Sequence, residues 1–244
     1  MKSLIYKYFK FIGEAAGKER NRSVLNLLPT GRDLVYLDLG CGDGELTLQR
    51  AEKINTDKIY GNEIIPSEAE KAEKRKIKIK KEDLNKKLSY DSNTFDVITA
   101  TQVIEHLNNL DEFISEIYRI LKPGGTFVVS TENLASWHNI FALALGLQPS
   151  TGPWLSEKFS VGFHPLHKEH SKQYVNNPAH HHLEQNPHTR VMTYRAMKNL
   201  FYQYKFKLMD ERTMGYYPLP PILSDLFATT DKWHALDMVL KMTK

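Results

Sequence analysis

Cysteine is almost absent from this chain: its 244 residues hold one, Cys41. That excludes an internal disulfide framework and suits a reducing compartment. Long apolar runs are missing as well. No stretch is long enough to cross a bilayer, and the N-terminus lacks the unbroken apolar core of a secretory leader. The expected location is cytoplasmic. Charge of one sign is in small excess only, a formal net +4 and a pI near 8.9, which does not by itself indicate nucleic acid. No RNA-binding module or concentrated basic face is present, so a nucleic-acid partner is disfavoured. The basic run Lys71, Lys74, Arg75, Lys76, Lys78, Lys80 and Lys81 is interspersed with Glu68, Glu70, Glu73 and Glu82, the pattern of a solvated helix-and-strand face. There is no internal repeat and no linker that demands a second domain.

What is present is an ordered series of short strands and helices. The apolar run Val35–Leu39 carries an acid, Asp38, and opens into Gly40-Cys41-Gly42-Asp43-Gly44. Leu46, Leu48 and Ala51 then begin a helical pattern. This reads as strand, tight turn and helix N-terminus. Glycine lets the backbone approach a ligand closely, and the N–H groups of the helix start are expected to be free for an anionic or carboxylate-bearing ligand. Lys58–Ile64 reads as a second strand ending in Glu63. It lies roughly 20 residues past the loop, where a nucleotide-binding α/β unit places a carboxylate that can accept from both ribose hydroxyls; the alternative is a surface acid. Ile77–Lys80 alternates as a third strand, followed by Asp83 and Leu84, which alone would read as a solvated loop. Phe95–Thr101 is a fourth strand, followed by Gln102-Val103-Ile104-Glu105-His106-Leu107. Leu110, Phe113, Ile114, Ile117, Tyr118 and Leu121 recur as one buried helical face. Lys122-Pro123-Gly124-Gly125 stops that helix, and Thr126–Ser130 is the fifth strand.

The glycines fall as G-x-G-x-G, not as the dinucleotide fingerprint G-x-G-x-x-G. Asp38–Gly44 resembles motif I of the class I S-adenosylmethionine (SAM)-dependent methyltransferases. The Phe95–Ile98 and Glu105-His106-Leu107 segments and the Leu121–Gly125 turn resemble their type 11 branch, and the resemblance covers roughly residues 35–131. It implies an α/β, Rossmann-like doubly wound fold: a mostly parallel seven-stranded sheet with an antiparallel edge strand, plus a cap or insertion. It also implies SAM as cofactor, with S-adenosylhomocysteine as product. The residues it implies for the cofactor are Asp38, Gly40, Cys41, Gly42, Gly44, Glu63, Asp83, Leu84, Thr101 and Gln102. Among these Asp83 would accept from the adenine amino group, the Leu84 backbone would meet the ring, and Thr101 and Gln102 would wall the amino-acid end. Cys41 sits in the loop for its small size. Glu105 and His106 are the candidates for deprotonating or positioning the acceptor; the alternative for both is a helix-capping, core hydrogen-bonding pair. An E-x-x-E-H arrangement at this place binds magnesium in some quinone O-methyltransferase relatives. Gln102 here replaces the first acid, and no metal is expected.

The flanks are less regular. In residues 1–32, Leu4, Ile5, Tyr8, Phe9 and Ile12 recur at helical spacing among Lys2, Lys7 and Lys10. This is either a helix packed on the domain or a basic amphipathic segment, residues 1–12, that touches a membrane surface. Residues 135–147 form an apolar helix expected to cap the substrate pocket, with Trp137, His138 and Asn139 facing it. Related sequences have proline where this chain has Glu132. Residues 148–192 hold seven of the ten histidines: His164, His167, His170, His180, His181, His182 and His188. Three of them could share a helical face at His164, His167 and His170, but no cysteine accompanies them and Pro165 disturbs a helix start. A long substrate-side insertion is the expectation. Tyr194–Tyr204 reads as a helix with Thr193 as N-cap, Lys205–Glu211 as the sixth strand and His234–Met242 as the seventh, antiparallel. Tyr216 and Tyr217 lie on a proline-rich loop that the resemblance places near the substrate mouth. Four regions follow: 1–32, an N-terminal helical segment; 33–133, the SAM-binding core; 134–192, the cap helix and His-rich insertion; and 193–244, completing the sheet. The functional expectation is methyl transfer to an oxygen or nitrogen of a small acceptor, lipid-linked, quinone-like or sugar-bearing. A non-catalytic SAM-binding scaffold is the main alternative and a nicotinamide-dependent oxidoreductase the weaker one.

Overall fold

The computed structural model describes residues 2–153, 162 and 188–244. The helices are α1 (Lys2–Leu27), α2 (Glu45–Ile54), α3 (Pro66–Lys74), α4 (Leu110–Ile120), α5 (Trp137–Ala144), α6 (Tyr194–Gln203) and α7 (Pro221–Thr230). The strands are β1 (Tyr36–Leu39), β2 (Ile59–Asn62), β3 (Lys78–Lys80), β4 (Phe95–Thr101), β5 (Leu121–Glu132), β6 (Lys207–Met214) and β7 (Asp237–Thr243). A 3-10 turn covers Ile104–His106. The seven strands form one sheet in the order β3-β2-β1-β4-β5-β7-β6. The pairs β1–β2, β1–β4, β2–β3 and β4–β5 are parallel. β7 runs the other way: Leu236, before its start, accepts from Asn133 after the end of β5, and Lys244, after its end, accepts from Gly124 near the start of β5. The antiparallel strand thus stands at this side of the sheet, inserted between β5 and β6. The order reverses between β1 and β4, and in open α/β sheets the carboxyl ends at such a switch point form the ligand crevice.

Local signals explain the element ends. α2 starts after Gly44 at φ +83° and stops at Asn55, which is left-handed at φ +66°. Pro66 opens α3, where its missing N–H costs nothing. Asn109 caps α4 by accepting from Glu112 N at 3.3 Å, with Asp111 and Glu112 in the first turn. β5 begins at Leu121 itself, so the Lys122–Gly125 turn lies inside the strand. Phe95 pairs with Leu121 and Val97 with Thr126, a register shift that accommodates the extra residues. β6 runs to Met214, three residues beyond its expected end. The strand ends on buried Met214.

The backbone groups into two compact units. The sheet unit comprises Arg22–Ser130, Lys198–Glu211 and Val239–Lys244. Its core is apolar: Leu37, Leu39, Ile98, Phe113, Ile117 and Phe127 are fully buried. Phe127, Phe201 and Phe206 pack ring against ring at 5.7–5.8 Å. Each such side chain contributes about 1.5–3 kcal/mol by leaving water. The second unit comprises Met1–Asn21, Thr131–Met197 and Arg212–Met238. Buried Asn133 organises it. Its amide donates to the carbonyls of Trp233 and Ala235, and its side-chain oxygen accepts from the backbone of Ala135 and Tyr194.

Candidate functional site

In the sheet unit, the chain leaves β1 through a loop whose glycines all have positive φ, with Gly42 at +55°. A Cβ on Gly42 would meet nothing within 4 Å, whereas one on Gly44 would strike Ile77 at 2.5 Å. Gly44 is therefore required by packing, and Gly42 borders open space where a ligand can meet bare backbone. The expectation of free N–H groups at this turn is corrected for five of them. Gly40 and Cys41 donate to Asn62 O, Gly44 to Cys41 O, Gly42 to Glu63 and Glu45 to Asp43. Acceptors at the end of β2 and within the loop take these five donors, so the loop's shape is fixed in advance.

Two acids behave differently here. Asp38 is buried behind the loop, and both its oxygens are filled. Arg50 Nη1 reaches them at 2.9 and 2.8 Å, Thr47 donates at 2.6 Å and Thr99 at 2.6 Å. Arg50 Nη2 continues to Thr101 Oγ1 at 2.8 Å. Asp38 and Thr101 thereby join β1, α2 and β4 in one network beneath the loop. Glu63 is also buried, but it accepts only backbone donors, Gly42 N and Ile65 N, each at 2.9 Å. Among the described residues no cation pairs with it, while Asp43 pairs with Arg75 at 3.2 Å. Cys41 registers the resulting field. Burial pushes its thiol pKa up, and Asp38, Glu63 and Asp43 push it further. The thiol packs with Ala72 and Ile77, as a small apolar residue does.

The rest of the expected set in this unit is held as follows. Gln102 is left-handed at φ +55° and donates its N–H to Ser130 O. Asp83 accepts from Asn85 N and Nδ2 at 2.9 and 3.0 Å, and lies 3.3 Å from Lys86. The Asn85 backbone bond, with the Asn85 and Lys86 side chains, holds its carboxyl below the usual range against a smaller effect of burial. Leu84 is buried. Asn85 also accepts from Asn108 N and Asn109 N, which ties the Asp83 loop to the segment following Glu105 and His106. Glu105 is fully buried in the 3-10 turn, and His106 is half-buried.

In the second unit the expected residues fall into separate groups. Trp137 Nε1 donates to Tyr216 Oη at 2.7 Å and to Asp231 Oδ2 at 3.2 Å; Tyr216 donates to the same carboxylate, and His234 Nδ1 lies 2.8 Å from it. Burial and the Asp231 bond push the Tyr216 phenol up to about 12. His138 lies ring to ring with Tyr217 at 5.3 Å. Burial raises the Tyr217 pKa, and the charges of Asp237 and Glu132 raise it further. Glu132 Oε2 lies 3.5 Å from His188 Nδ1. Asn139 is fully buried: its amide donates to Thr151 Oγ1 at 2.8 Å, and its oxygen accepts from Ser150 N at 3.1 Å. It folds the loop after α5 and is spent on that task. His164, His167, His170, His180, His181 and His182 lie outside the described residues.

Sequence reasoning missed Arg50, Thr47 and Thr99. Their signal was present: Thr47, Arg50, Ala51 and Ile54 share the buried face of α2, and an arginine on such a face needs a buried acid.

A family model described as a methyltransferase domain matches residues 6–211. Over 149 residues the chain is 32% identical to the sterol 4-C-methyltransferase of Caenorhabditis elegans, covering 53% of this chain and 44% of that protein. Over 104 residues it is 35% identical to the mitochondrial ubiquinone biosynthesis O-methyltransferase of Rattus norvegicus, covering 40% of this chain and 30% of that protein. The chain thus spans less than half the length of these two curated relatives. A SAM-dependent methyltransferase of Thermotoga maritima, described as a possible histamine N-methyltransferase, shares the fold at a TM-score of 0.61 and 19% identity, over 100% of this chain and 97% of that one. The chain belongs to the methyltransferase-domain family and carries the class I SAM-dependent methyltransferase fold.

Proposed function

We propose that this chain binds SAM at the glycine loop and directs methyl transfer to an oxygen or nitrogen of a small, lipid-like acceptor. The observation that carries the reading is Glu63. It is a buried carboxylate fixed to Gly42 N at 2.9 Å, beside the open space over that glycine, with no cationic partner among the described residues. A pyrophosphate would meet repulsion from Glu63 there, and five N–H donors of the turn are already bonded. A ligand with ribose hydroxyls and net positive charge meets neither obstacle. Bound SAM supplies an electrophilic methyl on a sulfonium. Glu63 would accept from the ribose hydroxyls, Asp83 from the adenine amino group, and Leu84 would lie against the ring. Asp38 acts through Arg50 and Thr101, holding the loop and the wall at Thr101 and Gln102. A general base is needed only for a protonated acceptor, and Glu105 and His106 are the residues assigned to it. The acceptor class is supported by the sterol and ubiquinone activities named for the two relatives.

Calorimetric titration with SAM, S-adenosylhomocysteine and NAD tests the donor half. Micromolar SAM binding with no NAD binding is expected, and the reverse would replace methyl transfer by redox chemistry. Incubation with methyl-labelled SAM and a lipid extract tests the acceptor half. Label recovered only in RNA or protein would refute it, and SAM binding without any label transfer would leave a scaffold.

A further inference from the structure

The turn after α7 holds a histidine in one orientation. His234 Nδ1 lies 2.8 Å from each oxygen of Asp231. The same carboxylate accepts from Tyr216 Oη and, at 3.2 Å, from Trp137 Nε1. The Trp137 ring covers one face of the imidazole, with the centroids 4.6 Å apart. Closing the turn needs less than this, since the backbone bond from His234 N to Asp231 O at 3.3 Å already does so. The side-chain donors come from three segments: α5, the loop after β6 and the turn itself. They fix Asp231, and Asp231 fixes the ring.

These bonds set the chemistry of the imidazole. A carboxylate only accepts, so in the neutral ring Nδ1 carries the proton and Nε2 the lone pair. Nε2 has no hydrogen-bond partner among the described residues, and the side chain is 32% exposed. Burial works against the Asp231 charge, but its three side-chain bonds hold the pKa below the usual range. An ionised Asp231 therefore stands ready beside the imidazolium that forms when Nε2 takes a proton. This is a carboxylate-oriented general base.

The sheet gives this base its place. Trp137 N donates to His234 O at 3.3 Å. Two residues on, Leu236 accepts from Asn133, the first residue past β5, and donates to Gly215, the first past β6. His234 thus stands where β5 and β6 leave the sheet by their carboxyl ends, the side on which open α/β sheets hold their ligands. A neutral amine acceptor needs no base, whereas a hydroxyl must lose its proton. Imidazole is a weak base, so a phenolic hydroxyl, acidic near a pKa of about 10, suits it better than an aliphatic one.

We propose that His234 Nε2 takes the proton of a phenolic hydroxyl acceptor, with Asp231 as its positioning residue. The O–H bond breaks and its proton passes to Nε2. The oxygen bonds the methyl while the methyl–sulfur bond breaks, and that electron pair stays on sulfur. The proton then leaves Nε2 for water. The proposal rests on the methyl-transfer reading and moves the base from the Glu105–His106 pair to His234.

The test uses the full chain with methyl-labelled SAM and a lipid extract. Alkali-stable label released as methyl iodide by hydriodic acid marks methyl ethers, and wild type is expected to form them. His234→Asn keeps a donor where Nδ1 stood and removes Nε2. It should form the ethers at least about 100-fold more slowly, with melting temperature and SAM affinity as in wild type. Proton–nitrogen correlation NMR should find the His234 proton on Nδ1 in wild type and shifted toward Nε2 in Asp231→Ala. An asparagine variant that transfers label at the wild-type rate would overturn the proposal and leave methyl transfer standing. So would label found only on nitrogen, or a wild-type ring protonated on Nε2. Wild type that binds SAM and transfers no label would overturn the methyl-transfer reading and this proposal together.

Discussion

Asp38 in the sheet unit and Asp237 in the second unit are both about 1% exposed and both face one arginine. Their surroundings differ in completeness. Asp38 receives Arg50 on both oxygens and a threonine hydroxyl on each. Asp237 receives Arg20 on Oδ2 at 2.8 Å, and its buried Oδ1 has no hydrogen-bond partner among the described residues. Burial therefore outweighs Arg20 and holds the Asp237 pKa above the usual carboxylate range. The sheet unit hides apolar side chains and saturates Asp38, while Arg50 Nε, Asn62 Nδ2, Tyr90 Oη and Ser130 Oγ are buried there without a hydrogen-bond partner among the described residues. The second unit hides Asn133, Asn139 and Asp237 and shows Ile222, Leu226 and Phe141 to solvent.

The sharpest way to break this contrast is to truncate both acids. Asp38→Ala leaves the 3%-exposed Arg50 guanidinium buried without its carboxylate. The expected cost is about 3–5 kcal/mol, read as a fall in the urea midpoint. An equal loss from Asp237→Ala would erase the distinction between the two units. Gly42→Val acts on the ligand and less on the fold. Its Cβ enters open space, so the fold loses only about 1–2 kcal/mol for a left-handed non-glycine residue. SAM affinity should fall beyond calorimetric detection, and unchanged affinity would detach the loop from the cofactor.

The difference between the units also decided what could be read from the residues. β1, β4, β5 and α4 are buried by apolar side chains at regular spacing, so pattern and structure agree. α7 has no such legibility. Pro218, Pro220 and Pro221 read as continued loop, and its apolar residues face outward, so no core-facing stripe announces a helix. Asn139 misled for the same reason: a polar residue on an apolar helix reads as facing a pocket, yet here it is the buried one. Arg50 was passed over because a lone arginine normally marks solvent. The hydrogen bonds within the glycine loop could not be foreseen either, since nothing in G-x-G-x-G says which carbonyls sit nearby.

Asp237→Asn sharpens the contrast with a smaller effect. With the folded pKa above the unfolded value of about 3.8, the folded state binds the proton more tightly. Wild type should therefore gain stability as pH falls from the raised value toward about 4. The asparagine variant should lack that gain and at neutral pH be within about 1 kcal/mol of wild type, or slightly more stable. Melting temperatures from pH 7 to 4 read this directly, and parallel curves for the two proteins would show that Asp237 is ionised and satisfied after all.

The smallest effect is expected at Asp231, which reverses the sign within the same unit. Burial works against its charge, but hydrogen bonds from Tyr216, His234 and Trp137 together pull its pKa below the usual range. A depressed folded value means stability that is present above about pH 4 and lost as pH falls through the folded pKa. The carboxylate is 28% exposed, so solvent screening holds the contribution below about 1 kcal/mol. Asp231→Asn should thus cost little at pH 7, and its difference from wild type should shrink at low pH, opposite in slope to Asp237→Asn. The two slopes fall in different windows, that of Asp237 above about pH 4 and that of Asp231 below it, and the double variant should lack both. Two slopes of the same sign would mean that burial dominates both acids, and that the second unit has no completed polar network to set against its open one.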